Sequence, residues 1–178
     1  AEYKALMVPD NTVNPHDGEA QYQLGLIYQE RRQYTEAIQR FQKAVTIDRE
    51  ETDAHFQLGR IAREQGRLDD ARAHLLTVLQ QDPKHSQHEI LRELGAVDLA
   101  TGKPEEARKM LADYVDRRPY DPEGLYYYGQ ALATTGATSE ARTAYEQAIE
   151  AARTAPRYRQ GITAKWGRLA QRALSSLR

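Results

Sequence analysis

QYQLGLIYQERRQYTEAIQRFQKAVTID, residues 21–48, is a segment whose pattern returns three more times along the chain. Each copy places a glycine directly after an apolar or aromatic residue. These glycines are Gly25, Gly59, Gly95 and Gly129, and they are separated by 34, 36 and 34 residues. Such self-similarity indicates a repeat array, in which each unit buries its apolar face by stacking on its neighbour.

The residue types that follow each glycine repeat as well. Later in each copy an alanine recurs, and a large apolar residue stands four positions after it. These pairs are Ala37 and Phe41, Ala71 and Leu75, Ala107 and Leu111, and Ala141 and Tyr145. This order resembles the tetratricopeptide repeat (TPR) over about residues 18–155. The resemblance implies an all-α fold, a TPR-like alpha solenoid in which antiparallel helix pairs form a right-handed superhelix. It also implies a binding scaffold, without naming the partner.

Periodicity and turn residues divide the chain into a leader, four repeats and a final helix. Pro9 and Pro15 favour an extended or weakly ordered leader. The final helix is basic and amphipathic, and is expected to cap the last repeat. The predicted boundaries are 1–17 for the leader, 18–51, 52–85, 88–121 and 122–155 for the repeats, and 156–178 for the capping helix.

Glycines also stand where the first helix of a repeat is expected to end. Gly66, Gly102 and Gly136 suit a left-handed C-terminal cap, and the first repeat has Arg32 there instead. The 36-residue interval requires a longer connection between the second and the third repeat. There Ser86-x-x-Glu89 has the pattern of a capping box.

The glycines that define the repeat are predicted to lie inside helices, where each costs up to about 1 kcal/mol relative to alanine. A cost that recurs in every repeat implies a recurring benefit. We expect that benefit to be close approach of the paired helix, with the repeat alanines on the other side of the contact.

Composition excludes several classes of function. The formal net charge of -1 gives no overall electrostatic case for nucleic acid or an anionic membrane. The chain has no cysteine, and no apolar run is long enough for a membrane span. It begins at Ala1 rather than Met, which fits a processed or truncated product and leaves cytoplasm and periplasm both open. The excess of Arg over Lys suggests a bacterial source of high GC content.

In TPR arrays the first helix of each repeat lines a concave groove that holds a peptide. The resemblance therefore implies groove residues on either side of each glycine and the apolar or aromatic residue before it. Aromatic surface and arginines there suit a protein or peptide partner with apolar anchors and acidic side chains or a free carboxylate. The other interpretation is solvated surface and salt bridges within the array. The groove residues are Tyr22, Leu26, Gln29, Phe56, Arg60, Arg63, Arg92, Leu99, Tyr126 and Gln130.

The C-terminal residues form a second candidate surface. Residues 151–178 carry seven basic and no acidic residues, which makes them +7 and the remainder -8. An apolar stripe from Ile162 through Trp166 to Leu177 is expected to pack on the repeats. The basic residues either solubilise the helix, bind the acidic body of another copy in a homo-oligomer, or bind an anionic lipid or nucleic-acid surface. They are Arg157, Arg159, Lys165, Arg168 and Arg172.

Catalysis, cofactors and metals are not expected. The sequence shows no glycine-rich phosphate loop and no serine elbow. His85, His88 and Glu89 lie close together but lack a fourth ligand. The run Tyr126-Tyr127-Tyr128 diverges around a helix, so it is no cofactor box. We therefore predict a non-catalytic scaffold or adaptor.

Overall fold

The computed structural model describes residues 17–49 and 51–177, and the regular structure of these residues is entirely α-helical. The first sixteen positions of the predicted leader lie outside the described residues. The helices are α1 (Gly18–Glu30), α2 (Tyr34–Ile47), α3 (Thr52–Glu64), α4 (Leu68–Gln81), α5 (Glu89–Ala100), α6 (Pro104–Arg117), α7 (Pro122–Thr134), α8 (Thr138–Thr154) and α9 (Arg157–Ser176). None of them is long and apolar enough to cross a membrane.

The first of two compact units, unit 1, spans Ala1–Asp82. Its described part contains two helix pairs, α1 with α2 and α3 with α4, and α2 also packs on α3. Asp17 caps α1 by accepting a hydrogen bond from the Ala20 backbone N–H at 3.1 Å. The core is formed by residues on the repeat's apolar positions, among them Ala37, Phe41 and Leu58.

Unit 2 spans Pro83–Arg178. Helix α5 pairs with α6, and α7 pairs with α8. Helix α6 contacts α7, and α9 packs on both α8 and α7. The larger core cluster lies around Leu125, Leu132, Tyr145 and Ala170, so α9 contributes to the same apolar core as the last helix pair.

The mid-helix glycines permit close helix contact, as the sequence predicts, but the neighbour differs from the predicted one. A Cβ on Gly25 would lie 2.4 Å from the Phe41 ring, and one on Gly95 would lie 2.5 Å from Leu111. The nearest neighbours are thus large apolar side chains rather than the predicted alanines, although the Ala71 backbone oxygen would lie 3.4 Å from a Cβ on Gly59. The large apolar residue four positions after each alanine fills the space that the glycine leaves.

The ends of the first helices follow the predicted pattern. Gly66, Gly102 and Gly136 have φ angles of 74°, 75° and 82°. Arg32, at the matching place of the first repeat, has a φ of 59°. The same left-handed conformation thus occurs in all four pairs, although only glycine adopts it without steric cost.

The join before α5 differs from its prediction. Ser86, Gln87 and His88 have φ angles of 51°, 56° and 72°, and His88 precedes α5 without a side-chain cap. The capping-box prediction for Ser86 and Glu89 is therefore wrong, because three consecutive left-handed residues absorb the extra length of this join.

Candidate functional site

Side chains of α1 and α3 meet on one face of unit 1, which we call the α1–α3 face: Tyr22, Gln29, Gln57 and Arg60. Tyr22 is half-buried, and its ring centroid lies 5.8 Å from that of Phe41. Burial raises the pKa of Tyr22 and the nearby carboxylate of Asp53 raises it further, while a hydrogen bond with Gln57 lowers it. Tyr22 is thus held at the core edge and tied to α3.

Two amides connect the helices on the α1–α3 face. The Gln29 Nε2 donates to Gln57 Oε1 at 3.3 Å. The Gln29 Oε1 is buried and has no hydrogen-bond partner among the described residues. Sequence reasoning missed Gln57, although it stands one position after Phe56 and so precedes the Leu58-Gly59 pair directly.

Arg60 lies on the same face, with its guanidinium 5.8 Å from the Phe56 ring centroid. Arg60 is half-buried, and within residues 17–49 and 51–177 it makes no hydrogen bond or ion pair. Phe56 itself is only 2% exposed. The prediction that Phe56 offers groove surface is therefore wrong, because its ring is packed in the core and the Arg60 guanidinium lies over it.

The remaining predicted groove residues of unit 1 are Leu26 and Arg63, both half-buried. Leu26 packs against the core cluster around Phe41. Its exposed part is therefore the edge of a core residue rather than a separate binding element.

In unit 2, Arg92 is 8% exposed and lies in a network of acidic groups. It donates to Asp121 at 2.9 Å and to Glu93 at 3.3 Å. Tyr114 donates its hydroxyl to the same Asp121 oxygen at 2.7 Å. The prediction of Arg92 as a groove residue is wrong, because its guanidinium is buried where it joins α5 to the start of α7.

The pKa shifts in this network follow from its charges. Burial alone would lower the pKa of Arg92, but the carboxylates of Glu123, Asp121 and Glu93 raise it well above its usual value. Burial likewise opposes ionisation of Asp121, yet Arg92 and the Tyr114 hydroxyl hold its pKa below the ordinary range. Arg92 and Asp121 therefore stay charged near neutral pH, whereas Tyr114 stays neutral because burial raises its pKa.

The other predicted groove residues of unit 2 are half-buried. Leu99 packs on the cluster of Ala107 and Leu111. The Tyr126 ring lies 5.6 Å from Trp166 of α9, which also contacts Tyr127 at 5.2 Å. Gln130 is half-buried on α7. Since α9 packs on Tyr126, part of the predicted groove surface of unit 2 is occupied by the chain's own C-terminal helix.

The predicted basic residues of α9, Arg157, Arg159, Lys165, Arg168 and Arg172, are all exposed. The Lys165 ammonium lies 4.7 Å from the Trp166 ring centroid. The apolar stripe is shorter than predicted, because Ile162 is 71% exposed. Packing of α9 on the last helix pair begins beyond that residue.

Among the described residues, no three His, Asp or Glu side chains are placed to hold a metal ion. A histidine pair does occur in unit 1, where the Nδ1 atoms of His55 and His74 lie 2.9 Å apart. Burial lowers the pKa of both imidazoles. Sequence reasoning treated these histidines as dispersed, since 19 positions separate them and only the helix pairing brings them together.

Successive helix pairs with a glycine-mediated contact in each define an all-α helical-repeat protein. Tetratricopeptide repeat profiles match residues 28–94 and 92–156. The chain therefore belongs to the tetratricopeptide repeat family, whose members are generally non-catalytic modules of protein–protein interaction.

Solved structures share the fold at low sequence identity. YrrB, described as a TPR protein with an unusual peptide-binding site, has a TM-score of 0.69 and 18% identity, covering 91% of this chain and 84% of that chain. MamA of AMB-1 has a TM-score of 0.73 and 17% identity, covering 86% and 90%. Pseudomonas aeruginosa pilF has a TM-score of 0.66 and 20% identity, covering 92% and 79%. No curated protein sequence matches the chain.

Proposed function

We propose that this chain is a non-catalytic scaffold that binds an extended segment of a partner protein on the α1–α3 face. The observation that carries the proposal is Arg60. Its guanidinium is half-buried over Phe56 and has no acceptor among the described residues. The Nε–H of Arg60 is buried without an acceptor, which is costly, and the partly exposed guanidinium can bind a partner carboxylate or carbonyl.

The surrounding groups suit a polypeptide. The amides of Gln29 and Gln57 match the N–H and C=O groups of an extended backbone, which contributes affinity without side-chain selectivity. The Tyr22 ring supplies an apolar surface at low cost in conformational entropy. The segment we propose therefore combines an apolar side chain near Tyr22 with an acidic side chain or terminal carboxylate at Arg60.

Charge around the face gives the segment a direction. Carboxylates of Asp53, Glu19 and Glu51 raise the pKa of Tyr22, so they lie close enough to impose a negative potential at that end. Arg60 places a positive charge at the other end of the face. A bound segment is therefore expected to direct its acidic residue toward Arg60 and away from Tyr22.

The test begins with peptides selected from a random library on the immobilised chain, followed by calorimetric titration of the best binder. Arg60→Ala should raise Kd about tenfold or more, since a charge-assisted hydrogen bond is lost. Arg67→Ala is the matched control, because Arg67 is exposed in the same unit and pairs with Asp70 at 2.7 Å. Circular dichroism verifies that both variants fold. Equal affinity of Arg60→Ala and wild type would refute the proposal.

A further inference from the structure

A cleft of about 250 Å³ lies in unit 2 between the turn that joins α6 to α7 and the first turn of α9. Arg117, Arg118, Tyr120 and Arg159 are among its lining residues. Every residue that lines the cleft belongs to unit 2, so the cleft shares no residue with the α1–α3 face. Its volume fits a side chain or a small anionic group rather than a folded element.

The arginines of the cleft differ in how their charge is compensated. Arg117 pairs with Asp113 at 2.8 Å. Arg118 donates to the neutral amide oxygen of Gln87. In the part of the chain that the structure describes, Arg118 has no ion pair and the Arg159 guanidinium has neither a hydrogen bond nor an ion pair. Two uncompensated guanidinium groups therefore face one small cleft.

Exposed large hydrophobic side chains accompany these charges: Tyr120 lines the cleft, and Tyr158 and Ile162 stand one and three positions from Arg159 on α9. Tyr120 and Tyr158 are each 84% exposed, and Ile162 is 71% exposed. The other exposed large hydrophobic residues of the described chain, Tyr34 and Ile47, reach only 40%. Tyr158 and Ile162 are four positions apart and so share one face of α9, next to Arg159. Tyrosine and arginine around an apolar centre are the typical composition of a binding hot spot.

We propose that this surface binds an acidic polypeptide segment of a partner protein. One carboxylate of the segment enters the cleft and accepts hydrogen bonds from Arg118 and Arg159, and an adjacent apolar side chain packs on Tyr158 and Ile162. The proposal is independent of peptide binding on the α1–α3 face. It assigns the first turns of α9 a recognition role beyond capping the last helix pair.

The lining favours a carboxylate on a flexible chain over a phosphate polymer. Asp121 also lines the cleft, and its carboxylate stays ionised because Arg92 holds its pKa low. A densely charged nucleic-acid backbone or lipid surface would bring several anionic groups against it, whereas one carboxylate approaches the two arginines alone. Pro119 adds an apolar wall that suits the stem of an acidic side chain.

The experiment measures binding of a fluorescein-labelled peptide in which Glu alternates with Leu, by fluorescence anisotropy on the whole chain. The expected result is binding that weakens with salt and is lost when Glu is replaced by Gln in the peptide. Arg118→Gln/Arg159→Gln should raise Kd about tenfold or more. The matched control Arg168→Gln/Arg172→Gln removes the same charge from exposed positions of α9 and should leave Kd nearly unchanged.

Several outcomes would overturn the proposal. Equal weakening by both double variants would mean that net charge alone attracts the peptide. Binding of the Gln peptide with the same affinity would remove the carboxylate from recognition. Vesicles containing phosphatidylserine that bind through Arg118 and Arg159, while the peptide does not, would assign the surface to lipid. A dimer that Arg118→Gln/Arg159→Gln abolishes, again without peptide binding, would assign it to a second copy.

Discussion

Arg32 has the left-handed backbone conformation that glycine adopts at the three corresponding positions, Gly66, Gly102 and Gly136. Its φ of 59° brings its Cβ close to the following carbonyl oxygen, whereas glycine adopts this region freely. We expect Arg32→Gly to raise the free energy of unfolding by about 1 kcal/mol. Urea denaturation followed by circular dichroism measures the change.

Gly66→Arg is the reciprocal control for Arg32→Gly. A Cβ at Gly66 would have no atom within 4 Å, so only the backbone conformation opposes it. The variant should lose a similar free energy of unfolding. If both substitutions leave the urea midpoint unchanged, the left-handed cap does not limit stability.

Gly95 illustrates how the repeat glycines act. An added Cβ would approach three Leu111 side-chain atoms at 2.5 to 3.0 Å, so either Leu111 or the paired helices α5 and α6 would have to shift. Gly95→Ala should therefore lower the free energy of unfolding by about 2 kcal/mol, despite alanine's higher helix propensity.

Gly161→Ala supplies the matched comparison, since Gly161 lies inside α9 with open space around it. Here only helix propensity changes, and the gain should be up to about 1 kcal/mol. Opposite signs for the two substitutions in thermal or urea unfolding are the expected result. A stabilising Gly95→Ala would contradict the close-contact interpretation.

At the scale of helices, the His55–His74 pair makes the contact of α3 with α4 sensitive to pH. Burial lowers the pKa of both imidazoles, and a charge on His55 further lowers the pKa of His74. The unfolded chain therefore binds more protons than the folded chain just below the ordinary histidine pKa. The free energy of unfolding should fall as the pH drops from about 7 to about 5.

His74→Gln removes this titration while keeping a polar side chain beside His55. Its free energy of unfolding should vary less with pH over the same interval, as measured by urea denaturation at a series of pH values. A wild-type chain whose stability does not change over that interval would show that the pair is too accessible to water to matter.

Trp166 is one of the residues that pack α9 on the last helix pair, and its ring lies against those of Tyr126 and Tyr127. Trp166→Ala should lower the free energy of unfolding by about 2 kcal/mol, less than for a fully buried aromatic because the ring is half-exposed. Far-UV circular dichroism is the suitable probe, since this variant has no tryptophan left.

Ile162→Ala is the control on the same helix, one turn earlier. Because Ile162 is 71% exposed, its truncation should change stability by no more than about 0.5 kcal/mol. Similar losses for both variants would mean that α9 buries Ile162 in solution.

At the scale of the whole molecule, charge is distributed unevenly, with +7 on residues 151–178 and -8 on the remainder. Self-assembly through this asymmetry is the alternative to partner binding. If partner binding is the function, the chain should sediment as a monomer at both low and physiological salt. An oligomer that dissociates as salt rises, with Arg168→Gln/Arg172→Gln shifting the equilibrium, would favour the structural alternative.

The repeat period, the all-α class and the left-handed caps are determined by the sequence alone. They depend on local preferences and on spacing: glycine tolerates a positive φ, and apolar residues at helical intervals require a partner helix. Gly66, Gly102 and Gly136 were predictable for that reason. The exception at Arg32 was also visible, because the pattern has a gap there.

Only the tertiary structure decided which of the residues at equivalent repeat positions are accessible to solvent. Phe56 and Arg92 occupy the same repeat position as Tyr22, yet both are buried, because exposure depends on the side chains that neighbouring helices contribute. Arg92 enters the core since Asp121 and Glu93 compensate its charge there. Arg60 lacks such partners among the described residues and remains available. Whether a charged side chain is buried depends on several residues that are distant in sequence. The repeat pattern at a single position therefore does not predict it.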